Sequence, residues 1–239
     1  MTEQTAVIVG ASSGIGEALA RELADRGYAL GLTARREERL RAIADELPTE
    51  THVGGMDVTE TAAARETFHA LAADMGGADV VVLNAGVAPD NRDLDWGPAR
   101  DTIDVNVRGF TALATAAAAH FAAQGLGHLV GVSSVAAHVG NPVVPAYHGS
   151  KAYVSNYLEG LRYRFADHAA DVTVTTIEPG YVDTDLATGE LWLVPVETAA
   201  EQIADGIAAE RRHVYVSKRW RLIAWALKAL PDAALRRLT

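Results

Sequence analysis

Seven short apolar runs, at about 5–10, 28–33, 51–56, 79–84, 127–132, 172–178 and 213–216, punctuate a chain whose other stretches carry apolar residues at helical spacing. The runs are apolar throughout rather than at alternate positions, which predicts strands covered on both faces. Strands of this kind alternating with helices predict an α/β fold: a single doubly wound (Rossmann-type) parallel sheet of about seven strands, joined by right-handed crossovers, with helices on both faces. Ligands bind such sheets at the carboxyl edge, where the strand order reverses. Ser12, Asn84, Ser134 and Pro179 all fall just past predicted strand ends, so the pattern alone gathers them on one edge.

The organisation expected is one unit over 1–216, containing a loop at 185–196, followed by a basic amphipathic extension over 217–239. With 239 residues the chain can bury a substantial core. It has no cysteine, which excludes disulfides and thiol chemistry. Its formal net charge of −10 argues against nucleic acid as a partner. The eight histidines lack ligand spacing, so no metal is expected. The start, Met1-Thr2-Glu3-Gln4, lacks the basic and apolar regions of a secretory signal, which makes the cytoplasm the expected location. Charge is nevertheless uneven: residues 210–239 carry +6 and the rest of the chain −16.

Two motifs carry chemistry. After the first apolar run come Gly10, Ala11, Ser12, Ser13, Gly14, Ile15 and Gly16, leading into a helical stretch. Glycines at such a junction allow a tight turn and close backbone approach to a pyrophosphate, which also meets the positive end of the new helix. The second motif is Ser134, Tyr147 and Lys151. Tyrosine and lysine four apart share one helix face, and a nearby ammonium favours the ionised phenol. Such a tyrosine is a proton donor usable near neutrality. Cofactor choice falls to the end of the second run, Thr33-Ala34-Arg35-Arg36. Ala34 stands where an acidic side chain would bind the ribose 2′-hydroxyl of NAD, and Arg35 and Arg36 suit the 2′-phosphate of NADP. NADP is expected, with NAD the less favoured cofactor.

From Ala6 to about Val216 the chain resembles the short-chain dehydrogenase/reductases. The motifs that carry the resemblance are the glycine turn, Asp57, Asn84-Ala85-Gly86, Asn106, the Ser134/Tyr147/Lys151 set, and Pro179-Gly180 followed by Val182 and Thr184. Val9 and Leu83 depart from the usual pattern. The resemblance implies an oxidoreductase that moves a hydride between nicotinamide and a carbonyl or secondary alcohol. It places the adenine at Asp57 and Val58, the adenosine ribose along Asn84–Gly86, and the nicotinamide at Val182 and Thr184 above Pro179-Gly180. Tyr147 would be the general acid/base and Ser134 would hold the substrate oxygen. Lys151 would lower the tyrosine pKa and bind ribose, and Asn106, on a long helix beginning near Pro98, would position a water. Asp57 could equally cap the next helix. Ser133 is expected in a packing or turn role.

The resemblance also implies a homodimer or homotetramer paired through the helices of Asn106 and Tyr147, to which the alanine-rich run 112–123 is suited. The substrate is a small carbonyl or alcohol of unspecified class. Leu191, Trp192 and Leu193 would close over it or pack on the body of the protein, and Tyr181, Asn141, His138 and His148 are further candidates for its pocket. The basic stretch 218–230 would lie on an anionic membrane surface, cover the substrate site or pack on a neighbouring subunit. Two readings compete with catalysis: a silent NADP-binding sensor, and a membrane-associated interaction protein of the same fold.

Overall fold

A computed structural model describes residues 4–184, 192–217 and 219–222. Most of the 185–196 loop, and nearly all of the extension from 218 on, therefore lie outside the described residues. Strands β1 (Thr5–Val9), β2 (Ala29–Ala34), β3 (Thr51–Gly55), β4 (Val80–Leu83), β5 (Leu126–Val132), β6 (Asp171–Pro179) and β7 (His213–Val216) form one sheet in the order 3-2-1-4-5-6-7. Every pairing is parallel. Each run expected to be a strand is one, to within two residues at either end.

The apolar runs work as predicted because both faces are covered. Ala6 and Ile8 of β1 face one cluster, packed by α1 (Gly14–Asp25) and α7 (Val196–Ala208), while Val7 and Val9 face the other. That second layer is built by α3 (Thr61–Asp74), α5 (Phe110–Gln124) and α6 (Pro145–Ala166). Helix α2 (Glu37–Ala44) seats Leu40 and Ile43 in the first cluster.

Two local features differ from expectation and shape the site. The long helix expected from near Pro98 is interrupted: α4 (Trp96–Ile103) passes into a π-helical turn over Asp104–Gly109 before α5 begins. Asn106 sits in that turn. The π-turn packs tightly, since a Cβ on Gly109 would come 2.7 Å from the Val58 carbonyl oxygen. Part of the alanine-rich run of α5 is spent within the subunit, with Ala114, Ala116 and Ala117 at 0% exposure, while Ala119 and Ala123 are exposed. No helix among the described residues is long and apolar enough to cross a membrane.

Candidate active site

The switch point between β1 and β4 opens into a cleft of about 330 Å³ at the carboxyl edge. Of the expected cofactor residues, Gly10, Ser12, Ser13, Gly14, Ile15, Arg35, Arg36, Asp57, Val58, Asn84, Ala85, Gly86 and Thr184 line it. Gly16 lies beneath the turn: a Cβ there would be 2.1 Å from the Gly10 carbonyl oxygen. Gly10 and Gly14 adopt φ of +87° and +55°, a region open to glycine and costly for other residues. A Cβ on Gly10 would also meet the Ala85 backbone at 2.8 Å, and one on Gly14 would meet Thr184 Cγ2 at 3.2 Å. The turn is thus a bare-backbone cradle at the start of α1, and these residues fit a dinucleotide.

Side chains brace the cradle. Asn84 Nδ2 donates to the Gly10 carbonyl at 2.9 Å, tying the ends of β1 and β4 together. Arg36 donates to the Ser12 and Ser13 hydroxyls at 3.0 and 2.8 Å, and Arg39 Nε to the Ser12 carbonyl at 2.6 Å. Sequence reasoning passed over Arg39; its place one helical turn after Arg36 was the available signal. Hydrogen bonds from Thr59, the backbone one foremost, lower the Asp57 carboxyl, and the charge of exposed Arg35 adds to them. Asp57 Oδ1 accepts from the Thr59 amide and hydroxyl, at 2.9 and 2.8 Å, in a local turn that precedes α3; the helix begins at Thr61 without a side-chain cap, so Asp57 does not cap it.

Beyond the cleft, Ser134 follows β5, and Tyr147 and Lys151 project from the first two turns of α6, which starts with Pro145 in its opening turn. Ser134 Oγ accepts from the Ala136 amide at 3.1 Å and donates to the Pro179 carbonyl at 3.3 Å. Lys151 Nζ lies 5.7 Å from the centre of the Tyr147 ring and donates to the Val132 carbonyl at 2.9 Å. A Cβ on Gly86 would come 3.3 Å from this nitrogen and 3.5 Å from Asn106 Oδ1, which brings Lys151, Asn106 and the cleft wall together. Asn106 is buried, with its amide spanning both backbone groups of Val87 at 2.9 Å and Ser150 Oγ at 3.0 Å.

The electrostatics differ from the expected pairing. Burial drives the Tyr147 phenol above its ordinary range, the Ser134 hydroxyl draws it back, and nearby Tyr181 raises it further. Burial also lowers Lys151 to about 8. The protein alone therefore does not bring the phenol down through Lys151, because desolvation outweighs an ammonium held against a carbonyl.

Pro179 and Gly180 close the site from the end of β6; Val182 is buried and bridges Val194. Tyr181 packs edge-on against Trp220, and Trp220 against Trp192. That contact fits the packing alternative for Trp192, while Leu191 is outside the described residues. Asn141 Oδ1 is taken up by the Val143 and Val144 amides, His148 by the Val139 carbonyl and His138 by Glu178. Ser133 hydrogen-bonds the Lys151 carbonyl and Ser155, a packing role as expected. Among the described residues no group of three or more His, Asp and Glu could hold a metal ion.

Comparison with known proteins bears on this geometry. The profile of the short chain dehydrogenase family matches residues 4–191. An uncharacterized oxidoreductase of Myxococcus xanthus is 38% identical over the whole of this chain and 98% of its own length. Among solved structures, a short-chain dehydrogenase from Sphingobium yanoikuyae in complex with NADPH aligns with a TM-score of 0.80 at 24% identity, over 96% of this chain and 97% of that one. A 3-ketoacyl-(acyl-carrier-protein) reductase from Brucella melitensis, complexed with NADH, aligns with a TM-score of 0.81 at 23% identity, over 90% and 98%. With the profile spanning most of the chain and a relative matching from end to end, this protein belongs to the short-chain dehydrogenase/reductase family.

Proposed function

We propose that this protein is an NADP(H)-dependent oxidoreductase acting on a carbonyl or secondary alcohol, with Tyr147 as general acid/base. The observation that carries the reading is the convergence of Ser134, Tyr147 and buried Lys151, whose Nζ lies 5.7 Å from the Tyr147 ring centre, next to a glycine-lined cleft. The nicotinamide supplies or accepts the hydride when bound. In reduction, charge grows on the carbonyl oxygen, where catalysis needs a donor already in place. Tyr147 gives its proton to that oxygen, and Ser134 holds the oxygen by turning its hydroxyl from the Pro179 carbonyl. Lys151 keeps positive charge beside the phenol as it ionises, and Asn106 holds the Val87 segment that forms the neighbouring wall.

Arg35, exposed at the mouth of the cleft, favours NADP over NAD, while Arg36 and Arg39 brace the rim through Ser12 and Ser13 without discriminating between the two. Assembly is proposed to be homo-oligomeric through α4 and α6, where Trp96 and Ile103 are exposed although apolar.

The test is Tyr147→Phe. Reduction of a ketone and aldehyde panel with NADPH should fall by about 10²–10⁴, the range for loss of a positioned acid, while NADPH binding measured by fluorescence stays near wild type. Retained turnover would overturn the assignment of Tyr147, and a wild-type protein that binds NADPH yet reduces nothing would favour the silent sensor.

A further inference from the structure

Glu178, the penultimate residue of β6, is fully buried and plays no part in the proposed chemistry. Its carboxylate is hydrogen-bonded on both oxygens, Oε2 to His138 Nε2 at 2.6 Å and Oε1 to Ser155 Oγ at 2.9 Å, and His213 Nε2 lies 3.1 Å from Oε1. Tyr215 and Arg162 of α6 lie near enough to feel its charge, and the Tyr215 phenol is raised by burial and then by that charge. Burial by itself would raise this carboxyl, but His138 and His213 prevail and hold it at about 2. An ionised carboxylate only accepts hydrogen bonds, so His138 carries a hydrogen on Nε2.

The partners of Glu178 lie on the segments that bear the candidate catalytic groups. His138 ends the single 3-10 turn Val135–His138, whose amide at Ala136 is capped by Ser134. Ser155 lies one turn beyond Lys151 on α6 and also meets Ser133, whose hydroxyl reaches the Lys151 carbonyl at 2.8 Å. Pro179, the residue after Glu178, accepts the hydrogen bond of Ser134. Enclosing a carboxylate and imidazoles costs more than enclosing apolar groups of the same volume. A role in orientation accounts for a charge at this position.

We propose that Glu178 is a positioning residue: through His138 and Ser155 its carboxylate locks the turn carrying Ser134 to the helix carrying Tyr147 and Lys151. The proposal rests on the catalytic reading of Ser134 and Tyr147, and adds that their separation is set from behind by a residue touching neither substrate nor cofactor. Glu178→Gln removes the charge and one acceptor oxygen, so Ser155 must accept from the new amide instead of donating to it, which reorganises its bond to Ser133. His138→Ala removes the link to the turn alone, whereas His138→Gln keeps a donor for the carboxylate.

Two readouts test it. Misplacement of a reacting group by about 1 Å costs on the order of 10²-fold, so Glu178→Gln and His138→Ala should lower kcat by roughly 10- to 100-fold on the panel ketone that wild type reduces fastest. NADPH affinity should stay within about twofold, His138→Gln should recover much of the loss, and Glu178→Gln should add little in a Ser134→Ala background. The second readout needs no substrate: the carbon-13 resonance of the Tyr147 phenol carbon, assigned by its loss in Tyr147→Phe, should move in Glu178→Gln and His138→Ala as it does in Ser134→Ala. An unmoved resonance in both variants overturns the proposal, as do wild-type kcat or losses additive with Ser134→Ala. If Glu178→Gln does not fold, the His138 pair decides by the same criteria. Failure of the catalytic reading would show instead as turnover surviving Tyr147→Phe.

Discussion

Trp220 lies across Gly180 so closely that a methyl group on the glycine would sit 2.0 Å from the indole Nε1. Tyr181 and Trp192 flank the indole, with ring centres at 5.6 and 5.9 Å, and Nε1 is buried without a hydrogen-bond partner among the described residues. The start of the basic C-terminal stretch is thereby packed onto the loop behind Ser134, and the close approach needs a residue without a side chain at 180.

Gly180→Ala is therefore expected to unseat Trp220. Overpacking of this kind costs about 1–3 kcal/mol, which urea unfolding would register, with a red-shifted tryptophan emission as the indole gains water. An unchanged midpoint together with unchanged emission would show that Trp220 is not seated on the glycine.

Lys151 gives a pH dependence of definite sign. Burial holds it at about 8 in the folded protein against 10.5 ordinarily, so between those values the unfolded chain binds the extra proton and stability rises with pH. Below about 8 the full penalty of the buried charge applies. Relative to Lys151→Met, the cofactor-free wild type should gain on the order of 2–3 kcal/mol between pH 7.5 and 10. Urea curves for the two proteins that stay parallel over that range would refute it.

Asn106→Ala would strand both backbone groups of Val87, at a cost of about 1–3 kcal/mol for buried unpaired polar groups. Because Val87 lines the cleft, NADPH affinity should fall along with thermal stability. Loss of turnover with stability and affinity both intact would mean that Asn106 serves the reaction directly and the clamp is incidental.

The arginines at the cleft should separate by cofactor. Arg35→Ala is expected to weaken NADPH more than NADH by about 1.5–3 kcal/mol, the worth of a charge-assisted hydrogen bond. Arg36→Ala removes a brace on Ser12 and Ser13, so it should weaken the two cofactors alike. Isothermal titrations showing equal losses for Arg35→Ala would remove it from the phosphate site.

The sequence by itself determined the sheet and the edge on which the candidate site forms. Runs such as Val80–Leu83 are apolar at every position, a pattern satisfied only by strands covered on both faces, and the glycine turn and the Tyr147–Lys151 offset are local geometry. Contacts between residues far apart in the chain were decided by tertiary structure alone. Glu178 reads as one charge at the end of an apolar strand, and only the meeting of β6, β7, α6 and the Val135–His138 turn supplies His138, Ser155 and His213 to it. The directions taken by Tyr147 and Lys151 likewise follow from how deeply the fold desolvates them, which four-residue spacing does not encode. The π-turn at Asn106 and the seating of Trp220 on Gly180 have the same origin: each is a fit between surfaces that exists only once the layers have packed.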